Sequence, residues 1–140
     1  NANLRTKKEL PDFVVRLLRL IDGYINISGF HTYPINNIEP DELGLVNLPS
    51  SRFYRAYMPK LSVFEFLKRK RITKAMRHAA KNNELFHLWW HPHNFGDHMD
   101  ENFKNLEVIF KEYQKLNKKY HFQSISMTGL TNQIINIKSI

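Results

Sequence analysis

The sequence predicts an α/β domain whose strands run mostly parallel. Two observations carry this. Helical periodicity alternates with short apolar or alternating segments in the order α-β-loop-α-β-α-β, the order that builds parallel sheets covered by helices. The chain has 140 residues, 42% of them hydrophobic and 24% charged, which suits about one domain with a buried core. Asn1 and Ala2 read as the remnant of a removed tag, leaving residues 3–140 as a single α/β domain.

The elements follow in order. Phe13, Leu17, Leu20 and Ile21 share one face of a helix over 11–22, with Pro11 where a missing amide is harmless and Gly23 as its stop. Residues 24–28 (Y-I-N-I-S) alternate with period two and predict a strand. Residues 29–51 hold Pro34, Pro40, Pro49, Gly29 and Gly44 and predict a loop too long to be a mere connector. A helix over 61–81 turns Phe64, Leu67, Ile72, Ala75, Met76 and Ala79 inward. Its outward face carries Lys68, Arg69, Lys70, Arg71, Lys74, Arg77 and Lys81. Residues 85–90 predict a strand covered on both faces. Phe103, Leu106, Ile109, Phe110, Tyr113 and Leu116 predict a helix over 100–119, with Asp97 as its cap and Lys115, Lys118 and Lys119 where the helix dipole favours cations. Residues 122–127 predict a further strand, and 133–138 a last strand or a tail.

Composition narrows the function. Without cysteine there is no disulfide scaffold, thiolate zinc site or cysteine nucleophile. No apolar run approaches the ~20 residues that span a bilayer, so no membrane partner is expected. The first residues lack the apolar stretch of a secretory signal; the compartment stays open, with the cytoplasm favoured. Lysine and arginine number 21 against 13 acids, a formal charge of +8, which raises nucleic-acid binding. No helix-turn-helix, zinc-finger or RNA-recognition pattern accompanies the basic helix, so its charges read as a solvated face and no nucleic-acid partner is expected.

The densest unusual segment is F-H-L-W-W-H-P-H-N-F-G at 86–96. It spans the end of a predicted strand and the loop before a helix, where α/β folds place ligands. His87, Trp89 and His91 share one strand face, and Pro92 stiffens the exit. An imidazole at a strand end can act as acid or base, and an indole offers a flat face for a sugar ring. His91 and His93 are therefore the candidate proton-transfer residues, with Trp89, Trp90 and Asn94 around the substrate; His87 reads as a core histidine. A metal site needs about three ligands, commonly including a carboxylate. The nearest acids, Asp97 and Asp100, are assigned to capping, so no metal ligand is assigned. Arg52, Arg55 and Tyr57 either hold an anionic sugar or phosphate or pair with nearby acids.

The 86–96 segment resembles the last motif region of polysaccharide deacetylases, the carbohydrate esterases with nodulation-type chitooligosaccharide deacetylase homology. L-L-R-L-I-D-G-Y-I-N-I-S-G-F-H-T-Y at 17–33, Arg52-Phe53-Tyr54-Arg55, the helix through Arg71-Ile72 and Ala79-Ala80, and F-Q-S-I-S-M at 122–127 are similar to it in the same order. The resemblance implies a distorted (β/α) barrel that hydrolyses N- or O-acetyl groups on a sugar. There a divalent metal, usually zinc, polarises the acetyl carbonyl and activates a water, an aspartate is the base, and a late histidine protonates the leaving group. His91 matches that histidine, with His93 as the fallback; Trp89 walls the pocket, and Arg55 is grouped with the substrate contacts. The family's early Asp-Asp and its metal-binding histidine pair have no counterpart here. The resemblance therefore implies the C-terminal half of such a barrel, inactive alone and binding no cofactor by itself. Its partners would be an acetylated sugar or polysaccharide and either the missing N-terminal half or a second copy. The alternatives are a non-catalytic carbohydrate-binding or assembly subunit and, further off, a basic nucleic-acid-binding domain.

Overall fold

The computed structural model describes residues 11–138; Asn1 and Ala2 lie outside them. Four helices and four two-residue strands alternate: α1 (Asp12–Asp22), β1 (Tyr33–Pro34), β2 (Arg52–Phe53), α2 (Glu65–Asn82), β3 (Glu84–Leu85), β4 (Leu88–Trp89), α3 (Met99–Tyr120) and α4 (Met127–Lys138). Short 3-10 turns at Ile35–Asn37, Pro59–Phe64 and Pro92–Phe95 link them. The class is mixed α and β, as expected, but helix dominates. The sheet reduces to two ladders, β1–β3 antiparallel and β2–β4 parallel, and the described residues form no closed barrel.

The predicted strand over 24–28 does not form, because its amides are used elsewhere. Those of Tyr24 and Ile25 donate to the Ile21 carbonyl, prolonging the end of α1. Those of Ile27 and Ser28 donate to the Asp22 carboxylate at 3.0 and 2.9 Å. The strand expected over 85–90 splits in two. His87 sits at the break, its carbonyl accepting from the amides of Ser51 and Arg52 and its own amide donating to Ser51 Oγ.

The C-terminal expectations also change. Residues 122–126 run without a strand partner: the Phe122 carbonyl accepts from Asn117 Nδ2 and the Ser124 amide donates to the Tyr113 hydroxyl. Residues 127–138 are helical. Ser126 Oγ accepts from the Gly129 amide at 3.1 Å, a serine cap at a helix start. Asp97 does not cap α3. His98 precedes the helix with φ 52° and no side-chain cap bond, and the Asp97 carbonyl accepts instead from Asn102 Nδ2.

The main core lies between α2 and α3 and closes on β2: Tyr54, Ile72, Met76, Phe95, Leu106, Ile109 and Leu116. Ile38, Leu130 and Ile134 form a smaller one under α4. Phe13, Leu17, Phe64, Phe103 and Phe110, expected on buried faces, are exposed. The basic face of α2 is corrected in the other direction. Lys68 and Arg71 are each only 3% exposed, and Arg69 and Arg77 bond Asn105 and Glu112 of α3, while Lys70, Lys74, Arg77 and Lys81 stay exposed.

Candidate functional site

The parallel β2–β4 ladder positions the aromatic patch. Phe53 lies opposite Trp89, and the Tyr54 amide donates to the Trp89 carbonyl at 2.8 Å. Alternation then sends neighbours to opposite faces. Phe53, Trp89 and His91 gather on one side, with ring centroids 4.7 Å apart for Phe53–Trp89, 5.3 Å for Trp89–His91 and 5.9 Å for Phe53–His91. Tyr54 and Trp90 occupy the other, where Trp90 packs against Tyr54 and Phe95. Trp90 is therefore a wall of the core, not of the open patch shared by Trp89 and His91.

Beyond β4 the chain enters the turn Pro92–Phe95. Pro92 occupies a first-turn position that needs no amide, and the Asn94 amide donates to the His91 carbonyl at 3.0 Å. This turn stacks the His91 and His93 rings at 5.3 Å and 20°. Both imidazoles are exposed, as is Trp89. The result is an open surface of one indole, one phenyl ring and two imidazoles that meet solvent, suited to stacking a ring and exchanging a proton. It is a shelf more than a pocket, since neither histidine lines either of the two cavities described below. Arg55 stands apart from it and lines the smaller of them.

A second constellation joins elements distant in sequence. Asp22 accepts from the Ile27 and Ser28 amides, from Ser28 Oγ at 2.8 Å and from Arg52 Nη1 at 2.7 Å. Arg71 lies 3.7 Å away and donates to the Gly29 carbonyl. Burial pushes the Asp22 carboxyl up, but Arg52 and Ser28 outweigh it and hold it well below the usual carboxylate range. Burial lowers the Arg71 guanidinium to about 10. His31, at φ 53°, places Nε2 2.7 Å from Ser28 Oγ. Because that hydroxyl donates its proton to Asp22, Nε2 of His31 is the donor in its own bond.

Sequence reasoning singled out Arg52 but did not join it to Asp22, His31 or Arg71. A signal was present. Asp22 is the one acid between Asp12 and Glu39, and it ends a helix where the dipole opposes a negative charge. An acid there needs another reason to stay.

Two cavities accompany these groups. One of about 610 Å³ is lined chiefly by apolar side chains, among them Leu88, Trp90, Ile109, Tyr113 and Phe122. One of about 110 Å³ lies between α1, β2 and the start of α2. Among the described residues no group of three or more His, Asp or Glu is placed to hold a metal ion. No described helix is long and apolar enough to cross a membrane. No family model, curated protein or solved structure matches the chain. What its geometry defines is a helix-rich α/β domain with an exposed Trp–His surface at the end of a short parallel ladder.

Proposed function

We propose that this chain is the C-terminal portion of a metal-dependent deacetylase acting on N- or O-acetylated sugars, and that it contributes one half of a distorted (β/α) barrel. One observation carries the reading: His91 stands exposed where β4 ends, its ring packed by Trp89 and Phe53. In this reading Trp89 and Phe53 hold the sugar ring, and His91, with His93 stacked behind it, donates a proton to the departing amine or alcohol. Asn94 shapes the turn that fixes the two rings. The base and the metal ligands belong to residues outside this chain, so it binds substrate without turning it over.

The test has two parts. With zinc added, the chain alone releases no acetate from N-acetylated chitooligosaccharides or acetylated xylan. The same oligosaccharides quench its tryptophan fluorescence saturably, and Trp89→Ala abolishes the quenching. In a protein that carries an aspartate pair and a histidine pair ahead of this sequence, His91→Ala lowers kcat by about 10²–10⁴-fold, the range for a lost general acid, and changes KM little. Full kcat in that variant, or acetate release by the chain alone, overturns the proposal. Saturable sugar binding without turnover in the longer protein favours the non-catalytic carbohydrate-binding subunit.

A further inference from the structure

The 110 Å³ cleft is walled by Arg19, Tyr24, Arg52, Arg55, Lys68 and the backbone bend at Gly23, and no acidic residue lines it. Two of its four cations are matched from behind: Arg52 by Asp22 at 2.7 Å and Lys68 by Glu65 at 2.6 Å. Arg19 and Arg55 form no salt bridge with a described acid. Arg71, just behind Arg52, shares the single Asp22 carboxylate. The region thus holds five cations, Arg19, Arg52, Arg55, Lys68 and Arg71, against two acids, Asp22 and Glu65, a surplus of three positive charges.

Hydrogen-bonding capacity is left over at the same place. Arg19 Nε, Arg52 Nε and the Tyr24 hydroxyl are all buried and have no partner among the described residues. The Arg52 side chain is 9% exposed. Buried donors are ordinarily satisfied, and buried charge is ordinarily paired. Uncompensated guanidinium groups lining one space, with unpaired donors buried in its walls and the unpaired Glu65 Oε1 buried behind Lys68, define a site suited to an acceptor carrying negative charge. Its volume admits a single carboxylate or phosphate group, and arginine is the side chain best shaped to grip either one.

We propose that this cleft binds an oxyanion, the carboxylate or phosphate group of a larger ligand, through Arg19, Arg52, Arg55 and Tyr24. The site lies on the Arg55 side of the β2 segment, and Phe53 belongs both to its lining and to the Trp89–His91 patch. A sugar bearing an acidic substituent can therefore span the two. The oxyanion site itself does not depend on deacetylase chemistry, and its test involves no turnover.

Isothermal titration calorimetry at low salt with inorganic phosphate, and separately with D-glucuronate, reads the site directly. One-to-one binding that weakens with added salt is expected from at least one probe. Preference for phosphate assigns a phosphate ester, and equal or tighter binding of glucuronate assigns a sugar acid. Arg19→Gln and Arg55→Gln each weaken binding about tenfold. Tyr24→Phe, which removes only the hydroxyl and keeps the fold, weakens it several-fold. Lys70→Gln, an exposed cation on the same helix as Lys68, leaves it unchanged. Absence of binding with both probes, unaltered affinity in Tyr24→Phe and both arginine variants, or an equal loss in Lys70→Gln overturns the proposal. The deacetylase reading survives each of those results, and it fails on the His91 test with this one intact.

Discussion

At Asp22 one carboxylate takes bonds from two amides, a hydroxyl and a guanidinium, and a second guanidinium leans on it. Removing one partner of a buried charge pair leaves the others uncompensated, at a cost of about 3–5 kcal/mol. Asp22→Asn, which strands Arg52 and Arg71, is expected to fall in that range by urea unfolding. The carboxyl's folded value is depressed. Its stabilisation is therefore complete above the unfolded value near 3.9 and is lost as the pH falls below that toward the folded value. The thermal midpoint of the parent protein should hold from neutral pH down to about pH 5 and drop steeply below pH 4, and the Asn variant should lack most of that lower drop. An Asn variant with the same acid profile refutes the assignment. This network was hard to read from sequence for a physical reason. Arg52 lies 30 positions from Asp22, and Arg71 sits in a basic run whose composition reads as solvated. The Trp89–His91 patch was legible because indoles and imidazoles are rare and adjacent in the chain, so no long-range pairing had to be inferred.

Helices were the readable elements and strands were not. Periodicity over three or more turns is a strong pattern, and α1, α2 and α3 begin and end within a few residues of expectation. A strand exists only if a partner takes its amides, and residues 24–28 and 122–126 spend theirs locally. The face of α2 was misjudged at two positions. Lys68 and Arg71 look outward by charge, yet Lys68 is in register with Ile72, Ala75 and Ala79. The structure buries it with bonds to the Arg55 carbonyl and Glu65. What holds the elements around the patch is polar. Asn102, fully buried on α3, accepts from the Tyr57 amide at 2.7 Å and donates to the Asp97 carbonyl at 2.9 Å. It thereby ties the segment after β2 to the segment after the histidine turn. Asn102→Ala leaves both backbone groups unpaired, at about 1–3 kcal/mol for each such group. The expected destabilisation is about 2–6 kcal/mol, against within about 0.5 kcal/mol for the exposed Lys104→Ala control. Equal denaturant midpoints for the two variants contradict this role.

Across the whole molecule, the apolar surface is larger than the core uses. Phe13 of α1 is 69% exposed, and Phe103 and Phe110 of α3 are 55% and 53% exposed. The last two lie seven residues apart, on one helical face. Helical periodicity marks such faces as inward, but which of them is covered depends on what the chain packs against, and that information is not in the local pattern. Contiguous apolar patches beyond a few hundred Å² are uncommon on monomers and mark association surfaces. The α3 stripe therefore predicts that the chain associates with itself when purified alone. Sedimentation velocity at rising concentration should show species heavier than the monomer above roughly micromolar levels, a binding free energy of about −8 kcal/mol. Phe103→Glu combined with Phe110→Glu places two like charges on the stripe. These changes shift the protein toward monomer, with a lowered thermal midpoint from the lost contact of Phe103 with the core ring of Phe95, 6.1 Å away. A parent chain that stays monomeric at every concentration removes α3 as an association face. A parent that associates while the double variant associates equally moves the contact to another exposed face, and Phe13 and Leu17 on α1, four residues apart, are then the pair to charge.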